Sequence, residues 1–170
     1  MLLCLLLWSS VSTGQELAEQ IPLPIKSALD RKFQGWKFVE ASNDIRKFLR
    51  EHISAEARPE IIRGDFDGNG QLDYAVLIAH SRVLKDGFKA GDEHIFIAAF
   101  LKKRDRYKLY VLDEAGEYLT LGRKGANGYD FYANKKFEYA NDAIQVWIFE
   151  KAGWSYVYEK GKFRYIYMVD

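Results

Sequence analysis

Ile61-Ile62-Arg63-Gly64-Asp65-Phe66-Asp67-Gly68-Asn69-Gly70-Gln71-Leu72-Asp73-Tyr74-Ala75-Val76-Leu77-Ile78-Ala79 consists of two apolar runs separated by glycines and oxygen-bearing side chains. The runs at 61–66 and 72–79 are rich in β-branched and aromatic residues, which predicts two strands joined by a tight turn. Downstream, residues 94–101 are almost wholly apolar, the pattern of a central strand covered on both faces. Past the polar turn Arg104-Asp105-Arg106, Tyr107, Leu109 and Val111 alternate with polar neighbours. Residues 118–121, 143–149, 154–159 and 162–167 read as further strands, and 122–128 as a loop.

Upstream of the quoted stretch the period changes. Ile25, Leu29 and Phe33 recur at four-residue spacing, which predicts a short amphipathic helix ending at Gly35. Residues 36–39 form a short extended piece. Ser42 suits the cap of a second helix with Ile45, Phe48, Leu49 and His52 or Ile53 on one face, and Pro59 closes this region. Helices that precede a run of strands predict an α+β fold: two N-terminal helices, then one mostly antiparallel sheet, a meander, in a single domain. The expected division is 1–14 as a signal peptide, 15–60 as a helical segment packed on the sheet, and 61–170 as the sheet.

The composition agrees with a β-rich chain. The 170 residues include 11 Tyr, 11 Phe and 4 Trp but only 3 Pro. Lys+Arg number 25 and Asp+Glu 24, so the formal net charge of +1 gives no bulk field for nucleic acid or anionic membrane. Leu2-Leu3-Cys4-Leu5-Leu6-Leu7-Trp8 is far shorter than the roughly 20 residues a membrane-spanning helix needs. Small residues follow it, as after the core of a secretory signal. Ser12 and Gly14 suit the subsites of a signal peptidase, which places cleavage before Gln15. No Lys or Arg precedes the run, so either the α-amino group supplies the positive charge or the start lies upstream. A buried N-terminal strand is the alternative. Cys4 is the only cysteine, so the mature chain is expected to lack thiols, to reside in the periplasm or outside the cell, and to keep no membrane anchor.

The loop of the opening stretch carries the chemistry. Oxygen side chains occupy Asp65, Asp67, Asn69 and Asp73, while Gly68 and Gly70 let the backbone bend tightly. A hard cation such as Ca²⁺ takes six to eight oxygens at about 2.3–2.6 Å, which a tight loop with alternating carboxylates can supply. The expected ligands are the side chains of Asp65, Asp67, Asn69 and Asp73 and the backbone carbonyl of Gln71. The twelfth position from Asp65 is Val76, not the bidentate Glu of an EF-hand, so affinity is expected near 10⁻⁴–10⁻³ M, roughly that of extracellular modules. A polar hairpin turn without metal is the competing account, since Asx-Gly pairs favour turns on their own.

The stretch from Gly64 to Ala75 resembles the calcium loop of FG-GAP/VCBS-type repeats, as in integrin α-chain β-propellers. The resemblance implies a loop between antiparallel strands whose acidic positions hold Ca²⁺. It covers about a dozen residues and occurs once, whereas a propeller repeats it blade by blade. The Phe-Gly and Gly-Ala-Pro landmarks of the full repeat are missing, so no propeller is expected. As a whole the chain resembles small exported bacterial proteins with one such loop.

Elsewhere, a two-residue turn at Lys160-Gly161 would set Tyr158 opposite Phe163, Tyr156 opposite Tyr165 and Trp154 opposite Tyr167. These six side chains then share one face, as sheet core or as a stacking surface for glycan or peptide. His52, His80 and His94 form no zinc pattern. Asp92-Glu93-His94 fits a charged strand edge better than a metal or base site, and the Arg123-Lys124 loop fits a solvated turn better than a phosphate cradle. No nucleophile elbow or Ser/His/Asp spacing is present. The expected function is therefore an exported calcium-binding domain with a structural or binding role. The alternatives are a periplasmic inhibitor or glycan-binding partner protein, and a hydrolase whose carboxylates assemble across the sheet.

Overall fold

Antiparallel pairing between apolar strands organises the chain. The computed structural model describes residues 20–81, 93–113 and 115–168. The expected leader at 1–14 and Asp92 lie outside them. In chain order the elements are α1 (Leu23–Lys32), β1 (Lys37–Phe38), α2 (Asn43–His52), β2 (Ile61–Gly64), β3 (Asp73–Ser81), β4 (Glu93–Lys103), β5 (Arg106–Leu112), β6 (Tyr118–Gly122), β7 (Asn127–Asp130), β8 (Lys135–Glu138), β9 (Ala143–Ile148), β10 (Ala152–Glu159) and β11 (Lys162–Met168).

The α+β expectation is corrected. Of the described residues 49% lie in strands and 15% in helices, so the protein is mostly β. Three antiparallel sheets replace the single meander. The first runs β1-β3-β4-β5, with β2 also paired to β3; the second runs β11-β10-β9-β6; β7 and β8 form a two-stranded sheet. Nor do the helices make one N-terminal helical segment: β1 intervenes, pairing Lys37 with Ala79 and Phe38 with Ile78 of β3. The physical reason lies in sheet one itself. β3 and β4 are apolar on both faces, so that sheet needs a layer on each side.

The two layers are of different kinds. Val76, Ile78, Phe96, Ala98 and Phe100 pack against Ile25, Leu29 and Phe33 of the α1 region. Ala75, Leu77, Ile97, Ala99 and Leu101 point the other way and meet Leu119, Ile144, Val146, Trp154 and Tyr156 of sheet two. On the outer face of sheet two, Ile45 and Leu49 of α2 pack on Tyr118, with Phe48, Trp147 and Phe149 beside them. The order of layers is therefore α1, sheet one, sheet two, α2. The chain changes sheets at Gly116, which lies so close to the Trp147 carbonyl that a Cβ would not fit.

Ser42 caps α2 as expected, its hydroxyl accepting from the Ile45 N–H at 3.3 Å. The β10–β11 hairpin has the expected register, from Glu159 opposite Lys162 to Trp154 opposite Tyr167. Its turn residues Lys160 (φ 50°) and Gly161 (φ 85°) both occupy the left-handed region. The aromatic face belongs to the core between the sheets. Trp154 and Tyr156 are buried there, with Tyr158, Phe163, Tyr165 and Tyr167 partly buried against them.

Candidate metal centre

Gly64 pairs with Asp73 at the end of the β2–β3 ladder, so residues 65–72 form the connecting loop. Phe66, fully buried among the inter-sheet residues, anchors it. Gly68 (φ +74°) and Gly70 (φ +78°) provide the left-handed positions that fold the loop back on itself. Asp65 is the organiser. Its Oδ1 accepts from the Asn69 N–H and its Oδ2 from the Gly70 N–H, both at 2.9 Å. Oδ1 of Asp67 accepts from the same Asn69 N–H at 3.3 Å.

Asp73 closes the loop from the strand side. It is fully buried. Its Oδ2 accepts from the Phe66 N–H at 2.9 Å and its Oδ1 from the Lys102 N–H at 2.7 Å. Loss of water pushes its carboxyl up from 3.8 to about 6, against the pull of those two N–H groups, and the charge of Asp67 adds to the rise.

Asp65, Asp67 and Asp73 each present a carboxylate oxygen within 4.8 Å of the others, and this cluster could hold a metal ion. The dimensions suit one. Oxygens on opposite sides of a calcium ion lie roughly 4.6–5.2 Å apart, twice the metal–oxygen distance. An all-oxygen donor set also suits a hard cation rather than zinc or copper.

The other two expected ligands are fixed differently. Asn69 accepts from the Gln71 N–H at 2.8 Å through Oδ1 and donates through Nδ2 to the Lys102 carbonyl at 2.8 Å. Gln71 is held through that N–H.

A residue not singled out in the sequence completes the frame. Asp142, at the entry to β9, accepts from the Asp65 N–H at 3.1 Å and from the Lys124 N–H at 3.0 Å. Its neighbour Asn141 packs against Gly68 and leaves no space for a side chain there. The loop is thus gripped from sheet one through Lys102 and from the second-sheet side through Asp142. Compared with known proteins, the chain matches no family model, no curated protein and no solved structure.

The remaining candidates fall elsewhere. His94 stacks on Phe96 with ring centroids 5.8 Å apart, while Glu93 pairs with Lys37 at 3.2 Å. His80 contacts the Gln34 carbonyl at 3.1 Å, and His52 lies on Phe48. Lys124 and Arg123 turn toward Asp142, with the Arg123 guanidinium 4.0 Å away.

Proposed function

We propose that this protein is an exported calcium-binding domain in which the ion has a structural role, held by a single loop of the FG-GAP/VCBS type at 65–73. The observation that carries this reading is the convergence of Asp65, Asp67 and Asp73, one of them fully buried, on a site of cation size. Three like charges so close repel one another, and a divalent ion removes the repulsion and stiffens the turn. Calcium is favoured over magnesium because three carboxylates of one loop converge, whereas magnesium is bound through one or two carboxylates and keeps several waters. Asn69, Gln71 and water complete the proposed shell, and the missing twelfth-position carboxylate keeps binding weak. The groove beside β6 is lined by one carboxylate, Glu56, and no histidine, so it supplies no acid pair for the hydrolase alternative.

Calorimetry and thermal unfolding with added Ca²⁺ test the proposal. Saturable heat and a rise in Tm are expected, and Asp67→Ala should remove both. At about 1 mM calcium and a Kd of about 10⁻⁴–10⁻³ M, linkage adds roughly 0.4–1.4 kcal/mol to stability. Absence of both heat and Tm change at millimolar Ca²⁺ would sink the metal assignment.

A further inference from the structure

A groove of about 480 Å³ opens where the edges of β2 and β6 face each other beneath the segment that follows α2. Its volume lies within the roughly 300–1,000 Å³ of small-molecule sites. Ile53, 59% exposed, gives it an apolar wall, while Arg58, Arg63 and Arg123 line it with positive charge against the single carboxylate of Glu56.

Arg46 is paired with Glu60, and Arg164 with Glu159 and Asp130. Arg58 and Arg63 are solvent-exposed and have no ion-pair partner among the described residues. Arg123 has only its 4.0 Å approach to Asp142. Arg31, Arg50, Arg104 and Arg106 are also exposed without an ion pair among the described residues; what distinguishes Arg58, Arg63 and Arg123 is that they line one groove. Three arginines thus line one concavity in a chain whose net charge is only +1.

The backbone adds a donor. Among the described residues β2 pairs only with β3, and β6 only with β9, so the edges facing the groove carry no ladder along it. The Leu119 N–H reaches across to the Pro59 carbonyl at 2.8 Å. Alternation along an antiparallel strand points the Leu121 N–H to the same side.

We infer that this groove binds a small amphipathic organic anion, a carboxylate or phosphate monoester on an apolar chain. The head group meets the arginines and the Leu121 N–H, since guanidinium forks match both oxyanions. The chain lies against Ile53. The inference is independent of the calcium site.

Calorimetry on the full chain at low salt tests it with octanoate and octyl phosphate. Octanol and inorganic phosphate serve as probes lacking the charged head and the apolar tail respectively. Saturable binding of at least one amphiphilic anion is expected, with both control probes and the Arg58→Gln/Arg63→Gln variant weaker by about tenfold or more. The stronger of the two anions identifies the head group. Amide shifts on binding should concentrate at residues 53–63 and 119–123. The proposal is overturned if neither anion binds, if octanol binds as well as they do, if the double variant binds unchanged, or if the shifts fall outside the groove.

Discussion

Asp73 is an acid without water around it, and its proton answers to two competitors. In the folded, metal-free chain its carboxyl is raised from 3.8 to about 6 by burial. The unfolded chain therefore releases this proton first as pH rises. The stability contributed by the group is full below about pH 4 and is lost as pH climbs through about 6. A cation favours the ionised form and opposes that loss. The Tm gain on adding Ca²⁺ should therefore be small near pH 4.5, approach its full size by about pH 7.5, and be read by melting curves with Ca²⁺ or chelator across that range. At this scale the alternating oxygens were legible in the sequence, because a loop of nine consecutive residues brings its own donors together. Asp142 was not legible: it meets Asp65 from 77 positions away, and an Asn-Asp pair before an apolar run signals only a turn.

Turns and hairpins divide into those whose chemistry is local and those held by distant partners. The β10–β11 register followed from one glycine and strict alternation. The β7–β8 hairpin was read as loop at its start, since Asn127-Gly128 and Lys135-Lys136 carry little strand signal. That hairpin is held from outside, by the Phe131 N–H on the Tyr167 carbonyl at 3.0 Å and by Tyr132 stacked on Tyr167. The same distinction separates two glycines. Gly161 has a left-handed φ with open space around it, whereas Gly68 has a left-handed φ and the Asn141 side chain against it. Chemical denaturation should therefore show Gly161→Ala costing about 1 kcal/mol and Gly68→Ala clearly more, about 2 kcal/mol or above. Equal costs would mean that the Asn141 contact yields easily.

Across the molecule, hydrophobic periodicity told which residues face inward but not which sheet receives them. A strand with alternating apolar residues pairs equally well in a meander or in a second sheet, so the change of sheet at Gly116 left no mark in the pattern. The double-sided burial of β4 was the one clue that layers were needed on both sides. These layers are tied by a charge pair as well as by packing. Arg46 of α2 reaches Glu60 at the start of β2, and Glu60 is only 1% exposed. Its Oε2 has no hydrogen-bond partner of its own. Removing the arginine strands a buried carboxylate, so Arg46→Ala should cost about 2–4 kcal/mol in equilibrium unfolding. Glu60→Gln should cost less, because it leaves a neutral group in place of the charge.

The Asp142 carboxylate takes one amide from the acidic loop and one from Lys124, and Arg123 stands beside it at the groove wall. Replacing this carboxylate, as in Asp142→Ala, should therefore loosen the acidic loop and the turn carrying Arg123 together.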